Sequence, residues 1–292
     1  MSAEPLHTAG AGGARARSLA WAQAAVLAGV FVTLYARTFS GLWATWATNE
    51  NYSHGPLVPL TSLALVWLRW DKLRALPVRA DGRGLWLVAL GCGMQFMGVR
   101  ADLFTLQGWS VLAVLFGLSL TFLGTAVTRL LAFPIGYLGF MLTFPPVVMN
   151  TLNFALKELA VNVSVAGARL LGAQFERDGM QLFFASGELR VEAPCSGLRS
   201  LVALVATGTL FAYFQRGGPW RRAAVLLAAI PIALAGNIVR LLLLLVAASM
   251  RGVTWATGYF HDVTGYVMYA VALALLIGLR TLLTPRDRER GQ

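Results

Sequence analysis

The sequence predicts an all-α polytopic membrane protein of about eight transmembrane helices, with an interfacial helix and a short β-hairpin-like segment on the non-cytoplasmic side. Three observations predict it. Of 292 residues, 57% are hydrophobic and 13% charged, whereas an ordinary soluble domain is about a quarter charged; mean hydropathy is +0.65. Apolar runs close to the roughly 20 residues that cross a bilayer recur along nearly the whole chain, leaving little for a soluble domain. The net charge of +11 comes from short Lys and Arg clusters at the ends of those runs. That is the pattern of membrane topology rather than of a nucleic-acid-binding face.

Residues 1–18 read as a cytoplasmic N-terminal tail carrying Arg15 and Arg17. The apolar run after it lacks a small-residue cleavage site, so it reads as a retained first helix rather than a signal peptide. Apolar runs and their polar punctuation place spans near 19–36, 55–70, 84–99, 103–124, 127–148, 196–214, 223–249 and 263–283. The second and third are short for a crossing. Orientation follows from the basic clusters, because short loops rich in Lys and Arg stay cytoplasmic. Arg15 and Arg17, the group from Arg69 to Arg83, Arg129, the group from Arg216 to Arg222, and the group from Arg280 to Arg290 all fall on one side if both termini are cytoplasmic. Residues 19–283 then form one transmembrane domain, and 284–292 a basic cytoplasmic tail.

This arrangement leaves residues 149–195 outside. TLNFALKELAVNVSVAGARLLG has helical apolar spacing interrupted by Lys157, Glu158, Asn162 and Arg169, so it reads as a helix lying in the interface. QFERDGMQLFFASGELRVEA alternates apolar and polar residues about a turn at Ala185-Ser186-Gly187, the mark of a small hairpin.

Three residues converge on the outer face under this topology. Cys195 follows a proline at the expected start of the sixth helix, where free N–H groups and the helix dipole stabilise a thiolate. A small buried residue at a helix start is the plainer reading of the cysteine alone. Arg240 is embedded in AGNIVRLLLLLVA, where a buried charge costs at least about 2.5–3.5 kcal/mol and requires a partner or a purpose. Asn237 lies one turn earlier on the same face. His261 opens the eighth span beside Asp262 and can serve as acid or base near neutrality. His54, in NYSHGPLVPL, sits at the same face as a candidate for a substrate groove. Glu192 and Arg199 flank the cysteine and can orient it, bind substrate or pair with each other. Cys92 falls mid-span, far in depth from Cys195, so no disulfide is expected. No metal-ligand cluster, cofactor motif, HExxH or GxSxG pattern occurs in the sequence. No metal or cofactor is therefore expected.

The segments APCSGLRS around Cys195, GNIVRL around Arg240, FHDVTGY around His261 and the early SHGPLVP resemble the exosortase/archaeosortase family over nearly the whole chain. The resemblance implies a cysteine transpeptidase-like enzyme of a bacterial cytoplasmic (inner) membrane. Its partners would be membrane-anchored precursors ending in a sorting signal: a Pro-Glu-Pro motif, a transmembrane helix and a basic tail. Such enzymes process exported proteins in bacteria that make extracellular polysaccharide. By position, Cys195 would be the nucleophile, Arg240 the oxyanion stabiliser and His261 the general acid/base. The extra C-terminal soluble domain of some members is not expected here. Two other readings stay open: a transporter or flippase for a lipid-linked or polysaccharide intermediate, which would not need Cys195, and a membrane cysteine acyltransferase.

Overall fold

A computed structural model describes residues 9–191 and 197–285. Glu192 and Cys195 lie outside the described residues, as do 1–8 of the expected N-terminal tail and 286–292 of the C-terminal one. The described chain is mostly helical. Helix α1 spans Ala9–Thr48, α2 Leu57–Trp67, α3 Trp70–Ala75, α4 Gly84–Arg100, α5 Phe104–Tyr137 and α6 Pro146–Leu170. Strands β1 Glu176–Asp178, β2 Gln181–Phe184 and β3 Gly187–Arg190 follow, and then α7 Leu198–Phe214, α8 Pro219–Arg251, the short α9 Val253–Trp255 and α10 His261–Leu283.

Large apolar side chains line the outside of these helices. Trp67, Trp86, Phe96 and Leu282 are all more exposed than buried, a surface that water does not tolerate over so many helices and that lipid does. Among the described residues, four helical stretches are long and apolar enough to cross a membrane: Ala25–Thr48, Phe104–Met141, Pro219–Arg251 and Val253–Leu283. The chain is a multi-pass membrane protein. The expected eight spans are not reached by this measure. Helices α2, at 11 residues, and α4 and α7, at 17 each, are short, since 17 residues rise only about 26 Å. Helix α6 is diluted by the polar residues noted above.

The stretch Phe104–Met141 turns back on itself. Gly124 has φ 81° and ψ 176°, a conformation essentially restricted to glycine. Ser119 and Thr128 hydroxyls then meet at 2.9 Å across the break, and the Trp109 indole donates to the Thr143 carbonyl at 3.1 Å. A straight helix would hold Trp109 and Thr143 about 50 Å apart. The two expected spans near 103–124 and 127–148 are therefore arms of a helical hairpin. Its corner is seated on the segment before α4: Asp81 N–H donates to the Thr121 carbonyl, and the Asp81 carboxylate accepts from the Thr125 hydroxyl and from Arg83 N–H.

Contacts at the two ends of the bundle sort the connections. At one end are the Asp81–Thr125 contact, the Arg69 guanidinium over the Tyr213 ring at 4.5 Å, and Gln215 donating to Thr284. These join segments that the basic clusters assign to one side. At the other end, Phe144 N–H donates to the Tyr52 hydroxyl, the Trp46 indole to the Met141 carbonyl, and Arg199 approaches Glu50 at 3.7 Å.

The strands form an antiparallel meander, β1-β2-β3. The expected hairpin is present as β2 and β3, with Phe184 opposite Gly187 across Ala185-Ser186; β1 adds a third strand through a tight turn at Gly179, φ 58°. Leu182, Phe184 and Leu189 turn inward onto α6 and onto Leu241, Leu244, Leu245 and Ala248 of α8. The sheet is also tied to the end of α8 by Val253 N–H donating to the Ser186 hydroxyl and Gln174 N–H to the Ser249 hydroxyl. A separate core joins α7, α8 and α10 through Leu204, Val225, Ala229, Ala233, Ala272 and Leu276. Helix α8 thus belongs to two cores in turn, and the crossover falls near Arg240.

Gly124 tests the hairpin. A Cβ there would overlap the Arg79 carbonyl, in addition to the roughly 1–3 kcal/mol of backbone strain. Gly124→Ala should lower the detergent melting temperature by several degrees and reduce membrane yield. An unchanged melting temperature would show that the corner is not held as described.

Candidate functional site

Arg240 sits on α8 where the α7/α8/α10 core gives way to the core under the sheet. Its half-buried guanidinium needs partners, and α10 supplies them. One Nη2 approaches His261 Nε2 at 2.8 Å and the His261 carbonyl at 3.4 Å. Arginine only donates, so Nε2 accepts and the imidazole hydrogen sits on Nδ1. Nδ1 lies 3.1 Å from Asp262 Oδ1: the carboxylate orients the ring by accepting that hydrogen. The order is guanidinium, imidazole, carboxylate, the first from α8 and the other two from the first turn of α10.

Two local features bring α10 this close. Residues Ala256–Phe260 form a π-helical turn interrupted at Gly258, a device that re-aims the residue following it; that residue is His261. One turn into α10 is Gly265, where a Cβ would stand 3.2 Å from Arg240 Nη2. The missing side chain lets the guanidinium lie along the α10 backbone. Arg240 Nε is buried and has no hydrogen-bond partner among the described residues. Beside it, Ser200, Asn237, Gly265 and Tyr269 help enclose a cavity of about 20 Å³, room for about one water molecule.

Asn237 is buried one turn before Arg240, as its spacing implies. Gly197, the first described residue after the gap, has φ 76°, and a Cβ there would approach Asn237 Cγ to 2.5 Å. The backbone leading into α7 is therefore pressed against the helix that carries Arg240. Glycine is required on both counts, conformation and space. Cys195 and Glu192 lie outside the described residues.

Arg199 meets Glu50, although neither side chain is more than half-buried; such a pair contributes at most about 1 kcal/mol. It bridges α7 to the turn after α1. His54 is not joined to Arg240 or His261. Its Nε2 donates to the Phe140 carbonyl at 3.0 Å, tying the α1–α2 turn to residues 138–141, while Nδ1 is buried and unpartnered among the described residues. Burial pushes its pKa below 6.5; the Phe140 carbonyl opposes that, and the Arg199 charge adds to it. Cys92 has a free thiol on the exposed side of α4, away from these groups. The described residues contain no group of His, Cys, Asp and Glu able to hold a metal ion.

Sequence reasoning missed three partners. Gly265 was legible, being four residues from His261 and so on its face. The Asp262 contact was not, because adjacent helical residues ordinarily point apart. Glu50 lies far from Arg199 in sequence, and no local pattern links them.

His54 makes stability pH-dependent with a definite sign. The ring is neutral when folded, and the unfolded chain takes up the proton first as pH falls. Stability is therefore full above the unfolded value of about 6.5 and declines below it. The detergent melting temperature should fall between about pH 7 and about pH 5, and His54→Gln should flatten that slope. An identical slope in the variant would remove His54 as its source.

No curated protein and no solved structure matches the chain. A family model described as transmembrane exosortase matches residues 46–278, an interval that holds Arg240, His261 and Asp262. The chain belongs to the transmembrane exosortase family, a family of membrane protein-sorting enzymes.

Proposed function

We propose that this protein is a cysteine endopeptidase or transpeptidase that cleaves the C-terminal sorting signal of exported, membrane-anchored precursors, a signal of the Pro-Glu-Pro type. It works at the outer face of a bacterial cytoplasmic membrane, crosses that membrane about eight times and keeps both termini inside. Residues 19–283 form its single transmembrane domain.

The observation that carries this reading is the contact between Arg240 and His261, together with an Arg240 Nε that has no partner among the described residues. Cys195 is the nucleophile. As the scissile peptide binds, its carbonyl oxygen replaces His261 Nε2 as a partner of the guanidinium. The freed Nε2 takes the Cys195 thiol proton, and the thiolate attacks the carbonyl carbon, forming a C–S bond and leaving charge on the carbonyl oxygen. Arg240 donates to that oxygen, where a preorganised donor is worth about 10²–10³ in rate. His261 then gives the proton to the leaving nitrogen as the C–N bond breaks. Asp262 holds the ring in the orientation this transfer requires. Water or an amine then attacks the thioester, returning the thiol and releasing the product. Asn237 and Gly197 keep the start of α7 against Arg240, which supports placing a Cys195 nucleophile at this centre.

The test uses an exported reporter ending in Pro-Glu-Pro, an apolar helix and an Arg-rich tail, co-expressed with enzyme variants and followed by gel mobility. Cys195→Ala should leave the reporter uncleaved while the variant inserts normally. Arg240→Lys should slow cleavage about 100-fold, and Asp262→Asn should slow it less, because that carboxylate is 73% exposed. Normal processing by Cys195→Ala would sink the proposal and favour a transporter, which has no need of the thiol.

A further inference from the structure

Outside the Arg240 centre, the described residues enclose a much larger space. A groove of about 780 Å³ opens between the end of α1, the α4–α5 turn and the start of α6, within the size range of ligand sites. Its walls carry Trp109, Phe144, Pro145 and Met149, and Leu198 of α7 stands at its edge. Leu198 follows Gly197, which rests on Asn237. The groove and the Arg240 centre are therefore joined through the first residues of α7.

Thr143 and Asn153 both line it, and each carries a side-chain oxygen, Oγ1 and Oδ1, that is buried and unpartnered among the described residues. Buried polar atoms in folded proteins are nearly always paired, so each of these calls for a partner. Asn153 Oδ1 is an acceptor and needs an N–H or O–H donor. The only charged residue in the described lining is Asp102. A phosphate-headed lipid would meet a carboxylate and no cation there, and an acyl chain would leave both polar atoms unpaired. A polypeptide backbone offers the N–H and C=O groups that these two atoms lack, and apolar side chains suit aromatic and proline walls.

We propose that this groove binds an extended stretch of substrate polypeptide, with Asn153 accepting a main-chain N–H and Thr143 pairing with the same strand. The inference rests on the proposed peptidase reading for the identity of that polypeptide: the segment of the precursor next to the scissile bond. Asn153 and Thr143 are positioning residues. They hold the chain so that its carbonyl reaches the centre around Arg240.

The experiment places a photo-crosslinking benzoylphenylalanine at Met149 in the full-length Cys195→Ala protein, in membranes containing the same Pro-Glu-Pro reporter. A control probe is placed at Trp86, exposed on α4 away from the groove. Met149 should crosslink to the reporter segment preceding its apolar helix, and Trp86 should not. Asn153→Leu and the near-isosteric Thr143→Val should each lower the yield about fivefold, the effect of one lost hydrogen bond. In the cleaving enzyme both should raise KM about as much with kcat unchanged, and Asn153→Gln should restore much of the loss. Crosslinks from Met149 to phospholipid or to the enzyme's own residues 192–196, or no reporter crosslink at all, would overturn the groove assignment. Crosslinking at Met149 combined with full cleavage by Cys195→Ala would keep the groove and refute the cysteine mechanism; cleavage by the unmodified enzyme without crosslinking would do the reverse.

Discussion

An arginine inside an apolar helix is the constraint around which the rest of this structure is arranged. Placing Arg240 at that depth costs about 2.5–3.5 kcal/mol on insertion scales, and hydrogen bonds to a charged group return about 1.5–3 kcal/mol each. The two contacts to His261 therefore offset much of the cost, but only if α10 approaches closely. The glycine at position 265, the π-helical turn before His261 and the crossover of α8 between two cores each make that approach possible. Among the described residues, the arginine's Nε also has no hydrogen-bond partner.

Hydrogen bonds and packing from three directions hold this centre in place. The three-stranded sheet packs on the last turns of α8 and is tied to them through Ser186 and Ser249. Ser164 of α6 donates to the Ile238 carbonyl, two residues before Arg240. On the opposite flank, Glu50, Tyr52 and His54 tie the α1–α2 turn to α7 and to the far arm of the α5 hairpin. A polar seam inside the bundle does similar work between α1, α4 and α5: Gln95 donates to Thr38, and the Ser110 hydroxyl lies within hydrogen-bond distance of Gln95 Oε1 and of the Tyr35 hydroxyl. Helices surrounded by lipid gain no hydrophobic energy from touching one another, so such bonds and close glycine contacts hold them together.

Much of this was legible in the sequence because membrane helices are written in composition. Apolar run length marked the helices, and the Lys and Arg clusters sorted their connections into two ends that the contacts of Asp81, Arg69 and Gln215 reproduce at one end. Alternation over 181–190 gave the hairpin. The limits were also physical. A fold-back at Gly124 leaves no hydropathy gap, so Phe104–Met141 passes as one long span until Ser119 is seen beside Thr128. Helices α2, α4 and α7 are too short for length alone to settle their crossing. At the site, Arg240 and His261 stood out because each is costly or reactive where it lies. Asn153 and Thr143 did not, since an asparagine or threonine on a helix or turn attracts notice only when its neighbours fail to satisfy it.

If Arg240 and His261 act as one unit during the proposed cleavage, a double-mutant cycle on kcat/KM for reporter processing will show it. Residues acting as a unit are strongly non-additive. The account predicts that Arg240→Lys, His261→Gln and the double variant all lose rate to nearly the same extent. If the two single losses instead multiplied in the double variant, Arg240 and His261 would be acting independently, and the contact between them would be structural only.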